Sequence, residues 1–150
     1  MNILFVCSGN TCRSCMAEAI FNHYNTISDI KAFSAGVAAI KGSKTSKNSA
    51  VVVETNTGVN IADREAVQLT QEQVHNSDLI LTMTYSIKNY LVSLFPDFKN
   101  KIYVLNEYVG AEGEVSDPYG GDIAVYNNTF KSLKKYIDLL LLKLKEDISK

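Results

Sequence analysis

Short apolar runs alternate along the chain with longer segments in which apolar residues recur every three or four positions. Runs of the first kind are typical of strands that are buried on both faces of a sheet. The sequence predicts four short strands, at 3–6, 31–35, 79–83 and 102–105. The second of them ends just before Gly36.

The longer segments carry helical periodicity and recognisable ends. Gly58 is placed to end one helix, and Thr70 with Gln73 forms a capping box that starts another. The predicted helices span 14–25, 47–57, a short stretch from Thr70, the segment from the third strand to Leu94, and a final stretch from about Asp122. The apolar face is expected to contain Met16, Ala19, Ile20 and Tyr24 in the first helix, and Tyr126, Phe130, Leu133, Ile137, Leu140 and Leu144 in the last.

This alternation predicts a single α/β domain over residues 1–150. We expect a four-stranded parallel twisted sheet with helices on both faces, in a Rossmann-like arrangement. Ligands of such folds bind beyond the carboxyl ends of the strands. The first strand ends at Cys7, and the loop of residues 109–121, here called the aspartate loop, follows the fourth strand and holds Asp117. Cys7 and Asp117 are therefore expected to meet at one site.

Composition and charge narrow the class of protein. The chain is 46 % hydrophobic and 21 % charged, which is an ordinary globular balance. Its net charge of −1 gives no basic surface for nucleic acid or anionic membrane, and no apolar run approaches the roughly 20 residues of a membrane span. The first apolar run is also too short for a signal peptide. We expect a cytoplasmic monomer that binds neither nucleic acid nor membrane.

Three cysteines, Cys7, Cys12 and Cys15, crowd into nine residues. An odd number in one short segment is not a disulfide framework. Three thiols without suitably spaced histidines do not make a convincing zinc site either. We therefore expect no metal and no cofactor, and the crowding points to chemistry carried by the cysteines themselves.

The segment Cys7-Ser8-Gly9-Asn10-Thr11-Cys12-Arg13-Ser14, here called the cysteine loop, joins the first strand to the first helix. A short polar loop can turn its N–H groups into one anion-binding concavity, to which the helix N-terminus adds its dipole. Arg13 offers a planar fork for phosphate oxygens. Cys7 at the base of this concavity is expected to ionise readily, with a pKa lowered from about 8.5 to roughly 3.5–7.5. Its thiolate is then placed for in-line attack on phosphorus.

Simpler interpretations exist for each residue taken alone. Cys7 would then be a buried core cysteine, Arg13 a surface charge, and Asp117 part of an ordinary Asp-Pro turn. The strand before the loop, the helix after it, and Gly9, Arg13 and Ser14 together favour the catalytic interpretation.

The cysteine loop contains a motif of Cys7, five intervening residues and Arg13-Ser14. A second motif, Asp117-Pro118-Tyr119-Gly120-Gly121, follows much later in the chain. With these motifs the chain resembles the low-molecular-weight protein tyrosine phosphatases. The resemblance continues through Met16-Ala17-Glu18, Ser34-Ala35-Gly36, Ser77-Asp78-Leu79-Ile80-Leu81 and the last helix. It implies the fold of that family and a phosphatase that acts on phosphorylated proteins.

The resemblance also implies roles for individual residues. Cys7 is the nucleophile that becomes phosphocysteine, while Arg13 and the backbone amides of residues 8–13 bind the phosphate oxygens. Ser14 hydrogen-bonds the thiolate, and Asn10 holds the shape of the loop. Asp117 protonates the leaving group and then activates water.

Thr11 bears on the choice of substrate. Tyrosine-specific members usually carry an apolar residue there, and this loop looks more like the bacterial protein-arginine phosphatases of the family. A guanidinium offers only N–H donors, so its pocket must present acceptors, and Thr11 with Asp117 supplies them. A loop hydroxyl that bonds its own backbone is the other interpretation of Thr11. Tyr119 fits either substrate, because it can stack on a phenol ring or on a guanidinium. Phosphoarginine is therefore the predicted substrate, with phosphotyrosine as the competitor.

Two positions depart from the family pattern. Cys15 replaces the usual proline, which creates a Cys-x-x-Cys with Cys12 and raises a dithiol redox protein as a rival; arsenate reductase is disfavoured because no cysteine follows Cys15. Cys12 or Cys15 is a candidate to trap oxidised Cys7 as a disulfide. Arg64 replaces a histidine that often supports the cysteine loop, which puts that supporting network in doubt. A non-catalytic phosphate-binding module is the remaining alternative.

Overall fold

Four parallel strands form one twisted sheet in the order β2-β1-β3-β4, as the computed structural model of residues 1–150 shows. The strands are β1 (Asn2–Cys7), β2 (Lys31–Gly36), β3 (Leu79–Thr82) and β4 (Ile102–Val104). Their bounds differ from the predicted ones by one residue at some ends. The predicted α/β fold is confirmed.

Six α-helices connect and follow the strands. They are α1 (Arg13–Tyr24), α2 (Lys47–Thr57), α3 (Gln71–Asn76), α4 (Tyr85–Leu94), α5 (Leu105–Tyr108) and α6 (Ile123–Ile148). The predicted helix ends are present: Gly58 adopts a left-handed conformation after α2, Thr70 and Gln73 form the capping box of α3, and the Asp122 carboxylate accepts the Val125 N–H at the start of α6. No helix is both long enough and apolar enough to cross a membrane.

The core lies between the sheet and the two helical layers. The helices α1, α2 and α6 pack together, with α1 against β1 and β2, while α4 and α5 pack against β3 and β4 and α5 also contacts α6. Residues 3–7 of the central strand β1 are all buried, as expected for a strand covered on both faces. The six residues predicted as the apolar stripe of α6 are all buried in this core.

The predicted face of α1 was partly wrong. Tyr24 is 36 % exposed and Ala19 is only partly buried, whereas Ala17 and Phe21 are buried beside Met16 and Ile20. Tyr24 lies at the end of the helix, where its ring faces the ammonium group of Lys134 at 4.4 Å. An aromatic ring with a cation over it is stable at a partly exposed position, so spacing alone overstated its burial.

Two short elements were not predicted. Residues Pro96–Lys101 form a 3-10 helix between α4 and β4, and α5 follows β4 without a loop. Both are too short to show apolar periodicity in the sequence, and Pro96 begins the first of them instead of merely ending α4.

The order of the strands determines where a ligand binds. From β1 the chain moves outward to β2 and later returns to β3 on the other side of β1, so the connections diverge at the carboxyl end of β1. A crevice forms at such a switch point in doubly wound sheets. The cysteine loop leaves β1 at this point, with Cys7 paired in register to Gly36 of β2.

The stripe of α6 gives a direct test of the core. Leu140 is fully buried, whereas Leu142 two residues later is 57 % exposed. We expect Leu140→Ala to lower the free energy of unfolding by about 2–5 kcal/mol, because it removes buried methyl groups and leaves a cavity. Leu142→Ala is the matched control and should change it by less than about 0.5 kcal/mol. Equal effects of the two substitutions in urea unfolding would contradict this packing of α6.

Candidate active site

In the cysteine loop, backbone carbonyl oxygens point away from a central concavity and backbone amides point into it. The carbonyls of Cys7, Ser8 and Thr11 accept hydrogen bonds of 2.9–3.0 Å from N–H groups of the segment 37–46. The N–H groups of Gly9, Thr11 and Cys12 donate no hydrogen bond within the chain. Unpaired amides that converge on one concavity form a site for an anion. The N-terminus of α1 begins at Arg13 and adds its positive end to the same concavity.

The thiol of Cys7 lies at the base of this concavity. Cys7 is only 3 % exposed, and its Sγ is 2.9 Å from Ser14 Oγ. The backbone N–H of Asn10 donates to the same sulfur at 3.3 Å. The sulfur therefore has one backbone donor and one hydroxyl group within hydrogen-bond distance.

Two backbone features hold the loop in this shape. Asn10 has φ 58°, a left-handed conformation that asparagine tolerates better than most residues. Gly36 lies directly against the loop: a Cβ added there would be 2.5 Å from the Ser8 carbonyl oxygen and 2.9 Å from Asn10 N. The loop therefore packs on bare backbone, which explains the glycine of the Ser34-Ala35-Gly36 motif.

A polar network lies beneath the loop. The Asn10 side-chain amide donates to Ser14 Oγ at 2.7 Å and to Ser34 Oγ at 3.0 Å. Arg64 donates to Asn10 Oδ1 at 2.9 Å and to Ser34 Oγ at 2.7 Å, and it pairs with Glu18 at 3.3 Å. The network beneath the cysteine loop, which the sequence put in doubt, is therefore present. Arg64 supplies its hydrogen bonds in place of the usual histidine.

Arg13 connects the cysteine loop to the aspartate loop. Its guanidinium is buried, donates to the Val115 carbonyl at 3.1 Å, and approaches Asp117 Oδ2 at 3.6 Å. The Asp117 side chain is 53 % exposed, so this ion pair is a loose contact that a ligand can replace. The prediction that Cys7 and Asp117 line one site is confirmed, since both border the same cavity.

The aspartate loop is anchored at several points upstream of Asp117. The Val115 N–H donates to the Met83 carbonyl at 3.0 Å, and buried Asn106 donates to the Glu112 carbonyl at 3.1 Å. Glu114 accepts the N–H of Tyr85 at the start of α4. Asp117 Oδ1 accepts the Tyr119 N–H at 3.1 Å, which orients the carboxylate over the cavity entrance.

The cavity has a volume of about 340 Å³. Its walls contain the predicted residues of the cysteine loop up to Arg13, together with Asp117 and Tyr119. Tyr119 is 83 % exposed and stands at the entrance. Ser14 lies beneath, with its hydroxyl on Cys7 and not in the cavity wall.

Thr11 contributes a free hydroxyl to this wall. Its Oγ1 makes no hydrogen bond to the backbone, and its polar contact within the chain is Cys12 Sγ at 3.8 Å. The interpretation of Thr11 as a hydroxyl that bonds its own backbone is therefore wrong. The acceptor remains available to a ligand in the cavity.

Cys12 and Cys15 occupy different surroundings. Cys12 Sγ contacts Ser46 Oγ at 3.4 Å and the Tyr126 hydroxyl at 3.6 Å, and burial together with that contact raises the pKa of Tyr126 to about 12. Cys15 is almost fully buried and its thiol donates to the Cys12 carbonyl. Burial, and next the nearby Cys7, raise the pKa of the Cys15 thiol far above its usual range. Cys15 is thus a poor nucleophile.

Comparison with known proteins agrees with this geometry. Residues 2–150 match the family model described as low molecular weight phosphotyrosine protein phosphatase. The chain belongs to this family.

Relatives within the family differ in the substrate that their names give. The protein-arginine-phosphatase of Bacillus subtilis (strain 168) is 36 % identical over 151 residues, which cover 98 % of this chain and 99 % of that protein. The low molecular weight protein tyrosine phosphatase of T. tengcongensis has a crystal structure that superposes with a TM-score of 0.91 at 43 % identity, covering 95 % and 99 % of the two chains. A mutant of the YwlE arginine phosphatase, with a phosphorylated active-site serine, superposes with a TM-score of 0.89 at 35 % identity, covering 98 % and 97 %.

Several residues of this low molecular weight phosphatase site were missed in the sequence. Ala38, Ile40 and Ser43 also line the cavity. They carry no recognisable motif, and only the turn that follows Gly36 brings them to the cavity. The Val115 carbonyl was also missed, because a backbone acceptor leaves no signature in a sequence.

The contact between Gly36 and the cysteine loop gives the second prediction. Gly36→Ala would force a Cβ into backbone atoms that cannot rotate away, so the loop amides must move. We expect at least tenfold weaker binding of inorganic phosphate in calorimetry, together with a stability loss of about 1–3 kcal/mol. Gly58→Ala is the control: its left-handed conformation makes it cost about 1 kcal/mol, but phosphate binding should not change. Normal phosphate binding by Gly36→Ala would show that the loop does not depend on this contact.

Proposed function

We propose that the chain removes phosphate from phosphoarginine in proteins through a phosphocysteine intermediate. The proposal is carried by the arrangement of Cys7, Arg13 and Asp117 around one cavity, with the sulfur at the base and the carboxylate at the entrance. Belonging to the low molecular weight phosphatase family supports the reaction type. The arginine phosphatases among its relatives support the choice of substrate.

The reaction begins when the phosphoryl group enters the cysteine loop. The loop amides and the Arg13 guanidinium hold its oxygens and stabilise charge that develops on them. Arg13 keeps its hydrogen bond to Val115 through one nitrogen and turns its other donors to the phosphoryl oxygens. The positive charge of the site comes from this guanidinium, the amides and the end of α1.

Cys7 then attacks phosphorus in line with the bond that breaks. The S–P bond forms as the bond from phosphorus to the leaving nitrogen breaks, and protonated Asp117 gives its proton to that nitrogen. Ser14 stabilises the sulfur when it later leaves. In the second half, the Asp117 carboxylate takes a proton from water, whose oxygen attacks phosphorus and releases inorganic phosphate and the Cys7 thiolate.

The preference for phosphoarginine rests on acceptors at the cavity wall. A guanidinium presents N–H donors in a plane and has no acceptor. The Thr11 hydroxyl and the Asp117 carboxylate both line the cavity and offer acceptors to such a group. Exposed Tyr119 supplies a flat face on which a guanidinium plane can stack.

Phosphotyrosine is the second candidate substrate. Tyr119 and Ile40 both line the cavity, are largely exposed, and offer apolar surface to a phenol ring. The tyrosine phosphatase of T. tengcongensis has the same fold at 43 % identity. Both substrates place their phosphoryl group in the cysteine loop, and they differ in the group that contacts the residues at its rim.

The rivals from other classes explain less of the site. A dithiol redox protein needs an accessible, reactive cysteine pair, whereas Cys15 is buried and its thiol is hard to ionise. A binding module without catalysis leaves the position of Asp117 over the cavity without a role. If Cys7 is protected as a disulfide, Cys12 is the favoured partner, because it borders the same cavity as Cys7.

Replacement of the general acid gives the third prediction. Asp117→Asn removes the proton donor and keeps the size of the side chain, so kcat should fall by about 10²–10⁴. Inorganic phosphate should still bind within about threefold of wild type, and p-nitrophenyl phosphate, with its good leaving group, should lose least. Cys7→Ser is the reference for complete loss of turnover. Unchanged kcat for Asp117→Asn on poor leaving groups would contradict its role.

Specificity gives the fourth prediction. Thr11→Ile keeps a branched side chain but removes the acceptor, so kcat/KM for phosphoarginine peptides should fall by at least tenfold relative to phosphotyrosine peptides. Thr11→Ser, which keeps the hydroxyl, is the matched control and should retain the preference for phosphoarginine. A wild-type preference for phosphotyrosine that Thr11→Ile leaves unaltered would refute the arginine assignment.

A further inference from the structure

Arg64 is the one charged side chain that donates to both Asn10 and Ser34 beneath the cysteine loop. It does not border the cavity, so phosphate binding does not explain its position. Its side chain is only 18 % exposed. The directions of the hydrogen bonds around it show what it does.

The orientation of the Asn10 side chain follows from two groups that can only donate. The Arg64 guanidinium and the Val67 backbone N–H both lie 2.9 Å from the same atom of Asn10. Neither group has an acceptor, so that atom must be the amide oxygen. The amide nitrogen is then turned toward the cysteine loop.

This orientation decides where the Ser14 proton goes. The Asn10 amide nitrogen has only hydrogens to offer, so Ser14 Oγ accepts from it at 2.7 Å. The Ser14 hydroxyl proton is left for one of two acceptors, Cys7 Sγ at 2.9 Å or the Ala35 carbonyl at 3.5 Å. When the sulfur is a thiolate it has no proton to donate and is a charged acceptor, so the Ser14 hydroxyl donates to it over the shorter contact.

The hydrogen bonds of Ser34 form a second branch, and their directions are fixed as well. Ser34 Oγ accepts from Arg64 at 2.7 Å and from Asn10 at 3.0 Å, which fills both of its lone pairs. Its own proton goes to Glu18 at 2.7 Å. Glu18 therefore serves both as the counterion of Arg64 and as the acceptor at which this branch ends.

We propose that Arg64 is a positioning residue that fixes the direction of the hydrogen-bond chain from Arg64 through Asn10 and Ser14 to Cys7. Arg64 Nη1, together with the Val67 N–H, imposes the orientation of Asn10, while Nη2 holds Ser34, and the oriented Asn10 in turn presents the Ser14 proton to the sulfur. The significance of this order for catalysis rests on the proposed role of Cys7 as nucleophile. The order itself does not, and it can be measured without turnover.

The test follows the alkylation of Cys7 by iodoacetamide as a function of pH. Modified peptides are mapped by mass spectrometry, and inorganic phosphate serves as the protecting ligand that identifies reaction in the cavity. Arg64→Met removes both donors, so the pH midpoint of alkylation should rise by about half to one pH unit, and alkylation below the midpoint should slow about three- to tenfold. Arg64→Lys keeps the charge but has one nitrogen on a shorter chain, so its midpoint should move in the same direction.

A double-mutant cycle distinguishes an effect of Arg64 through the hydrogen-bond chain from a direct electrostatic effect of its charge on Cys7. Ser14→Ala should raise the midpoint by itself, and Arg64→Met should add no further rise in the Ser14→Ala background, because the chain is already broken at Ser14. All these variants leave Cys12, Arg13, Asp117 and Cys15, the other titratable groups around Cys7, unchanged. The matched control is Lys44→Met, which removes a cation from the exposed ion pair with Asp63 and should leave the midpoint unchanged.

Two outcomes would overturn the proposal. A wild-type midpoint in Arg64→Lys would show that charge alone suffices, and this variant carries the test if Arg64→Met does not fold. An equal rise on Arg64→Met with and without the Ser14 hydroxyl would show that Arg64, or the unpaired Glu18, acts directly on the thiolate through space. Neither outcome depends on phosphatase activity, so failure of the proposed function would be recognised separately, by turnover that persists in Cys7→Ser.

Discussion

A phosphate-binding loop needs its amides turned inward, and in this chain that orientation depends on where its carbonyl oxygens are held. The carbonyls of Cys7, Ser8 and Thr11 are all occupied by the segment after β2, and Gly36 lets that segment lie directly against the loop. Once the carbonyls are held outside, the amides have no partner but a ligand. The anion site is thus a consequence of how the β1 and β2 connections pack together, and Cys7 gains its position because it is the last residue of β1.

The elements that carry the site follow from local signals, which is why much of the fold is predictable from the sequence. Buried strands, the capping box at Thr70 and the stripe of α6 are all encoded within a few residues of one another. Tyr24 shows where this local logic fails, because its exposure depends on Lys134 of α6, more than a hundred residues away. The bounds of β3 and β4 differ by one residue for a related reason, since the strands end where their partner ends.

Within the site, too, residues marked by a local motif are predictable, whereas residues brought together only by the folded chain are not. Cys7 and Arg13 are recognisable because the loop that contains them is contiguous, and Asp117 because an Asp-Pro motif marks it. Ile40, the Val115 carbonyl and the Arg64 network have no such signature. Arg64 is separated from Asn10 by 54 positions, and only the folded chain shows that the guanidinium replaces the donor of a histidine with two donors in one plane. A substitution that looks like a loss in sequence is therefore a different solution to the same hydrogen-bonding problem.

Stability does not account for the pair formed by Arg64 and Glu18. Both side chains are partly buried, at 18 % and 25 % exposure, so the attraction between them is largely offset by the cost of removing two charges from water. A well-packed apolar pair would fill the space at no greater cost, but it would leave Asn10 free to turn over and Ser34 without an acceptor. A guanidinium cannot accept a hydrogen bond, so the Asn10 atom that faces it has to be the amide oxygen. The role of the charged pair is to fix which partner donates in each hydrogen bond. With Arg64 and Glu18 in place, the hydrogen bonds beneath the loop form one ordered chain that ends on the Cys7 sulfur.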